Sequence, residues 1–314
     1  MHPLDRIGAL LSGLDRRRLR VFPDGWGQDP PDSQAAFGAT APLDIAWDRP
    51  AVMGPARVRR GAFTSPVARL LAPTARVVPV ELIEPARGAR GHVVLMPSWN
   101  DHGFDTRRKL ASHLIESGLA SVIFDIPHYG ERRTVPAPLQ AIRTVRDFMV
   151  MGIGAIAEAR ALVTNFVDAG PVGVAGYSMG GNLAALVAAG LDVPVAVAPL
   201  AAAPSPAVVF VDGPLSAAVA WKALGGPGAR ARLHSVLGSV SVTNLRAPAH
   251  VRSAVLVAGT RDGFVPPAQT ETIHQHWPGS DLRLVEAGHA TLLWRHKRDL
   301  AQAVADSFSR TFGS

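Results

Sequence analysis

Three residues in this chain have the types and spacing for acyl transfer: Ser178, Asp262 and His289. The serine sits in Gly176-Tyr177-Ser178-Met179-Gly180-Gly181, after an apolar run, Val172 to Ala175, and before a helix-like run, Asn182 to Ala189. A sharp turn from strand to helix, with small neighbours, lifts a hydroxyl clear of a sheet. A serine hydroxyl is a weak nucleophile at neutral pH and needs a base within hydrogen-bonding reach. The base needs an acid to fix its tautomer and stabilise its cationic form. Ser253 to Ala258 reads as a buried parallel strand, and Asp262 lies in the loop just past its carboxyl end. Open α/β sheets place their sites at that edge. A helix-like segment, Pro267 to His276, and a strand, Leu282 to Glu286, follow, and His289 falls in the next loop. The three residues thus follow three separate strands at one sheet edge. Each has a plainer use: a glycine-rich turn around Ser178, a turn or N-cap role for Asp262, and a loop position for His289. Their joint order makes the chemical reading the stronger one. Asp281 precedes its strand and so faces the wrong edge, Asp212 follows a long apolar run, and Glu286 belongs to the strand.

Acyl transfer also needs backbone N–H groups aimed at the developing oxyanion. One is expected from Met179, the residue after the nucleophile. The other comes from the loop after the strand His92 to Met96, which reads Pro97-Ser98-Trp99-Asn100-Asp101-His102-Gly103. Against the His-Gly-x pattern usual for such loops, Pro97 and Ser98 take the first two places and Trp99 the donor's, with Asn100 as the alternative. Asn100, His102, Tyr129 and Tyr177 are the candidate substrate contacts. For Asp101 and His102, a hydrogen-bonded loop pair is the favoured alternative. For His128 and Tyr129, after the strand Ser121 to Ile126, a packed turn is as well supported as pocket lining. Arg107 and Arg108 read as a solvated face or a structural ion pair in the first turn of a helix.

Strands and helices alternate over most of the chain. Val77 to Ile83 is expected to begin the sheet. His92–Met96 is followed by a helix near 106–117, and Ser121–Ile126 by a long helix near 139–166. Val172–Tyr177 leads to the serine, and Val193–Val197 continues the series. Near-continuous apolar strands between amphipathic helices imply a mostly parallel sheet covered on both faces. Residues 1–74 are expected to form an N-terminal extension packed on the core, irregular from Pro23 to Pro42. Residues 75–314 then form the main domain, interrupted at about 200–248 by a small helical cap.

The chain resembles the α/β-hydrolase superfamily over about residues 75–314. More narrowly, it is similar to bacterial relatives of the abhydrolase-domain-containing group numbered eighteen in animals. Four stretches carry that narrower resemblance: Phe22 to Gly27, Gly61 to Pro66, Asp101 to Phe104 with Arg107 and Arg108, and Pro127 to Arg132. It implies an α/β-hydrolase fold and a serine hydrolase of carboxylic esters, lipid or other hydrophobic acyl esters among them, working through an acyl-enzyme. The same machinery serves acyltransferases, thioesterases and amidases, and fold alone does not choose among them. The rival from another class is an inactive binding scaffold, against which the intact set of three residues argues.

Composition narrows the partners. The absence of cysteine excludes a disulfide framework and a thiolate metal site. No H-E-x-x-H spacing occurs, so no metal and no cofactor is expected. A net charge of +7 suggests polyanions, but the chain has only three lysines, and aromatic residues are 6% of it. Nucleic-acid binding is therefore not expected. Leu4, Ile7, Leu10, Leu11 and Leu14 have helical spacing and precede Arg16-Arg17-Arg18-Leu19-Arg20. Packing of this helix on the body is favoured over peripheral contact with an anionic membrane. Its apolar part is short and carries Asp5 and Arg6, unlike a signal peptide. The run Val193 to Val211 is long, but four prolines break it, and no transmembrane helix is expected. A cytoplasmic enzyme is the expectation.

Overall fold

The computed structural model describes residues 2, 5, 20–29, 31–136 and 139–313. The basic run Arg16-Arg17-Arg18-Leu19 lies outside them. Among the described residues a ten-stranded sheet forms the centre. Its strands are β1 (Ala46–Trp47), β2 (Ala51–Met53), β3 (Ala56–Thr64), β4 (Val77–Pro85) and β5 (Gly91–Met96), then β6 (Leu119–Phe124), β7 (Val172–Tyr177), β8 (Ala196–Leu200), β9 (Val255–Gly259) and β10 (Asp281–Val285). The spatial order is β1-β3-β4-β6-β5-β7-β8-β9-β10, with β2 paired to β3. From β6 to β10 every pairing is parallel. The β1, β3 and β4 end is antiparallel.

The sheet therefore begins before Val77, which corrects the sequence expectation. The reason is chemical. Strand β3 is held to β4 by charge as well as backbone, with Arg60 on Glu81 at 3.3 Å and Arg59 on Glu84 at 3.6 Å. Cross-strand opposite charges stabilise an antiparallel pair near an open edge without the apolar run that marks a central strand.

Among the described residues seven named α-helices cover the two faces and the top: α1 (Asp105–Glu116), α2 (Val145–Phe166), α3 (Met179–Ala189), α4 (Ala229–Gly238), α5 (Pro267–His276), α6 (His289–Arg295) and α7 (Lys297–Phe312). Helix α2 starts later than its apolar pattern suggests because Thr144 caps it. The Thr144 hydroxyl accepts the Asp147 N–H at 3.0 Å, and the Asp147 carboxylate accepts the Thr144 N–H at 2.8 Å, a capping box. Helices α2 and α3 bury their apolar residues on one face of the sheet. Helices α1 and α7 bury theirs on the other. The stretch Val145–Ala169 has the length and apolarity to cross a membrane, but 78% of its most apolar window is buried inside the protein. Its apolarity serves the core. The run Val193 to Val211 divides into β8, a proline-rich turn and the start of a π-helical turn, Val208–Asp212.

Between β8 and β9 the chain forms a cap from that turn, a 3-10 turn at Pro214–Ala218, α4, and further 3-10 turns at Val242–Asn244 and Ala249–Ser253. The early chain fastens this cap. Val21 donates to the Ala218 carbonyl at 3.0 Å, Ala220 donates back to Val21 at 2.9 Å, and the Trp26 indole donates to Leu224 at 2.9 Å.

Candidate active site

Three strand ends deliver the three residues. Strand β7 runs into Ser178 and α3 leaves from it, so the serine is forced to φ +58°. That left-handed backbone costs a non-glycine residue about 1–3 kcal/mol. Only a crowded turn holds it. A Cβ on Gly180 would stand 2.5 Å from the Met96 carbonyl, and one on Gly176 would stand 2.4 Å from the Gly180 carbonyl. The glycines therefore let the elbow close against β5 and against itself.

His289 begins α6, just beyond β10, and its Nε2 lies 2.9 Å from the Ser178 hydroxyl. Its Nδ1 lies 2.6 Å from Asp262 Oδ2. A carboxylate only accepts, so Nδ1–H donates to Asp262 and Nε2 is left to accept the serine proton. The other Asp262 oxygen accepts the N–H groups of Phe264 and Val265, each at 2.8 Å. The Asp262 side chain is fully buried, whereas that of His289 is 16% exposed, so the chain of bonds runs from the interior to the cleft. The Tyr177 hydroxyl donates to the His289 carbonyl at 2.6 Å. Burial, reinforced by the charges of Asp262 and Asp5, pushes the Tyr177 hydroxyl far above its ordinary ionisation range. It remains a donor.

The three rivals for the acid stand elsewhere. Asp212 pairs with His234 and Arg230 on the exposed cap, and Asp281 pairs with Arg283 at the start of β10. Glu286 lies one residue past β10, exposed and paired with Arg261.

The loop after β5 is held by three anchors. Asn100, at φ +60°, donates its N–H to the Tyr129 hydroxyl at 3.0 Å. Asp101 accepts from buried Arg107 at 3.0 Å, and Arg107 also donates to the carbonyls of Phe124 and Gly103, each at 2.6 Å. Burial pushes the Asp101 carboxyl up, and Arg107 opposes that. Asp101 thus bonds Arg107 rather than His102. His102 is exposed, lies with its ring 4.5 Å from that of Tyr129, and faces Arg133. Arg108 pairs with Glu81 at 2.6 Å. The Asn100 N–H is spent on Tyr129, whereas the Trp99 N–H has no hydrogen bond among the described residues. The Met179 N–H opens α3, where a helix leaves donors unpaired.

Ser178 and His289 open into a cleft of about 280 Å³. Its wall is apolar: Trp99, Phe148, Val209, Phe210, Leu215, Phe264, Leu293 and Trp294, with Ser98, Asn182 and Ser205 as polar members. Trp99 and Phe148 pack edge-on to Phe210 of the cap, at 4.9 and 5.3 Å. Of the four candidate substrate contacts only Tyr177 lines the cleft. Tyr129 is fully buried beneath the loop, and neither Asn100 nor His102 lines the cleft. A second cavity of about 60 Å³ shares Phe148 and Met179 but reaches neither Ser178 nor His289.

Two residues of the site carried no sequence signal. Asn182, a plain helix residue by pattern, donates to the carbonyls of Ala203 and Pro204, both at 3.0 Å, and ties the serine's helix to the cap. Asp5 reaches the histidine loop from the far end of the chain. Among the described residues no group of three His, Cys, Asp or Glu side chains has the geometry to hold a metal.

Comparison with known proteins agrees with this architecture. A family model described as alpha/beta hydrolase domain containing 18 matches residues 33–227 and 227–310. An acetyl xylan esterase from a Paenibacillus species is similar in structure, with a TM-score of 0.59 and 16% identity over 87% of this chain and 92% of that one. Acetyl xylan esterase 1 from a Thermoanaerobacterium species gives a TM-score of 0.54 and 17% identity, over 90% of this chain and 96% of that one. A cold-adapted esterase from an Arctic intertidal metagenomic library gives 0.53 and 16%, over 82% and 99%. At such identities the likeness is one of fold, and the fold is that of the α/β hydrolases.

Proposed function

The chain belongs to the alpha/beta hydrolase domain containing 18 family, and from that membership and the geometry at Ser178 we propose that it is a serine hydrolase of carboxylic esters with apolar acyl groups. The observation that carries the reading is the continuous path Ser178 Oγ to His289 to Asp262, at 2.9 and 2.6 Å. In this mechanism His289 takes the Ser178 proton as the hydroxyl attacks the ester carbonyl. Asp262 holds the imidazole tautomer and stabilises its cation. The N–H groups of Met179 and Trp99 receive the oxyanion, one such donor being worth about 3 kcal/mol. His289 then gives its proton to the leaving alcohol, the acyl-enzyme forms, and water activated by the same histidine releases the acid.

The acyl preference follows from the wall and the volume. Aromatic and aliphatic side chains line the cleft, so a charged acyl group gains nothing there. At about 280 Å³ the cleft is at the small end of ligand pockets, which run roughly 300–1,000 Å³. Short and medium acyl chains fit this volume better than palmitoyl.

The test is hydrolysis of p-nitrophenyl esters from acetyl to palmitoyl, with Ser178→Ala beside the wild type. Activity that peaks below long chains and vanishes in folded Ser178→Ala supports the reading. Turnover by pure, folded Ser178→Ala would overturn it. Product analysis with an added alcohol separates hydrolysis from acyl transfer.

A further inference from the structure

Asp5 belongs to no catalytic motif, yet its carboxylate is wholly buried and aimed at the site. One oxygen accepts the N–H of Gly263 at 2.9 Å and the N–H of His289 at 2.8 Å. The other accepts the N–H of Ala290 at 3.2 Å. Gly263 directly follows Asp262. A single side chain therefore bonds the loop that holds the acid and the residue that serves as base. The neighbouring backbone joins in: the His2 N–H donates to the Arg261 carbonyl at 2.9 Å, and the Asp5 N–H to the His2 carbonyl at 3.0 Å. The fit leaves no slack, because a Cβ on Gly288 would stand 2.2 Å from that of His2 and 2.8 Å from Asp5 Oδ2.

A buried carboxylate is costly unless donors replace its water. Three charge-assisted N–H bonds do so here. The same three donors, in a loop and in the first turn of α6, are N–H groups that would otherwise lack partners. An apolar side chain at this point would fill the space but connect nothing. The carboxylate fixes the backbone of His289 itself, and through it the ring that spans Asp262 and Ser178.

We propose that Asp5 is a positioning residue of the acyl-transfer site, locking the loop of Asp262 to the loop of His289. The proposal rests on the reading of Ser178, His289 and Asp262 as the reacting set. It goes further in making an early segment of the chain part of the machinery.

The test compares full-length wild type, Asp5→Ala and Asp5→Asn. Asparagine keeps the volume, but its amide NH₂ repels one of the three N–H groups. Steady-state kinetics on the best p-nitrophenyl ester is read beside proton NMR of the low-field His289 Nδ1–H and thermal unfolding. The expected result is a fall in kcat of up to about 100-fold, the scale set by small misplacements of reacting groups. KM stays nearly constant, the low-field signal broadens or disappears, and both variants remain folded at the assay temperature. Wild-type kcat and an intact signal in both variants would overturn the proposal. So would a loss of activity that only tracks loss of folded protein. If the wild type lacks a low-field signal that His289→Ala removes, the reading of the reacting set fails instead, and the two failures are thereby distinguished.

Discussion

The Tyr129 hydroxyl offers the sharpest test of the proposal that the loop after β5 supplies an oxyanion donor. Tyr129 is fully buried, and its hydroxyl accepts the Asn100 N–H at 3.0 Å. Asn100 stands at φ +60°, a left-handed conformation that asparagine adopts more readily than most residues with a Cβ. A hydrogen bond contributes about 1 kcal/mol net. Tyr129→Phe removes the bond that ties Asn100 to the core and leaves that N–H without its protein partner. The loop relaxes, and the Trp99 N–H, one peptide upstream, loses its aim. Complete loss of one oxyanion donor lowers kcat by about 10²–10³-fold. Misdirection rather than removal places the expected fall in kcat at about 10–100-fold. KM changes little, because the walls of the cleft are untouched and the lost interaction exists only in the transition state. The assay is steady-state hydrolysis of the best p-nitrophenyl ester, with thermal unfolding and the affinity of a tetrahedral boronate measured on the same protein. Weakened boronate binding should parallel the loss of kcat. A variant with wild-type kcat and lowered thermal stability would refute the reasoning, since the donor would then keep its place without Tyr129.

Two further predictions concern the fold. Glu158 and Arg132 form a buried bidentate pair, both bonds 2.7 Å, with Ser65 donating to the same carboxylate at 2.6 Å. Glu158→Ala leaves the buried Arg132 charge without its counter-ion and should lower the free energy of urea unfolding by about 3–5 kcal/mol; an unchanged unfolding midpoint would contradict the pairing. His92 is buried against Phe166 with rings 4.9 Å apart, and burial holds its pKa below the ordinary value. The unfolded chain takes up a proton at His92 below about pH 6.5 that the folded chain refuses, so stability falls with pH there, by up to about 1.4 kcal/mol per pH unit. His128 and His250, lowered by burial as well, act in the same direction. His92→Phe keeps the ring and should flatten the profile by up to one proton, which thermal unfolding between roughly pH 7 and 5 reads; parallel profiles for the two proteins would exclude a buried neutral His92.

The parts of the molecule that were legible in sequence are those where one residue type has one physical use. Val172–Tyr177 is uniformly apolar because both faces of β7 are buried, and the structure keeps those bounds. Pro267–His276 starts at a proline and ends at its expected residue. Ser178, Asp262 and His289 could be set in order because each follows a strand. Strand β3 was illegible because charge pairing to β4 replaces apolar alternation. Asn100, His102 and Tyr129 were read as facing substrate because they lie at the right sheet edge. An edge assignment says nothing of depth, and Tyr129 lies below the loop rather than above it. Asp5 was invisible for a different reason. Its partners are backbone N–H groups, which carry no residue identity, and they lie at the far end of the chain.

The four stretches that carry the narrower family resemblance have a common structural role. Phe22 packs against Phe148 and Phe210, at 6.0 and 6.3 Å, and Trp26 binds the cap at Leu224. Ser65 and Arg132 meet at Glu158 in the core. Asp101 and Arg107 brace the loop that presents Trp99, with Arg107 also reaching the end of β6. None of these side chains lines the cleft around Ser178. They brace the loop after β5 and the seat of the cap, which the proposed chemistry needs at the same place whatever the ester. On the proposed reading, selection among substrates falls to cleft residues outside the four stretches, among them Phe210 and Leu215 of the cap and Leu293 and Trp294 of α6. Trp294 lines the cleft and is 62% exposed, whereas Phe210 is buried there against Trp99. A chain that keeps the four stretches and changes these positions should keep its chemistry and change its ester.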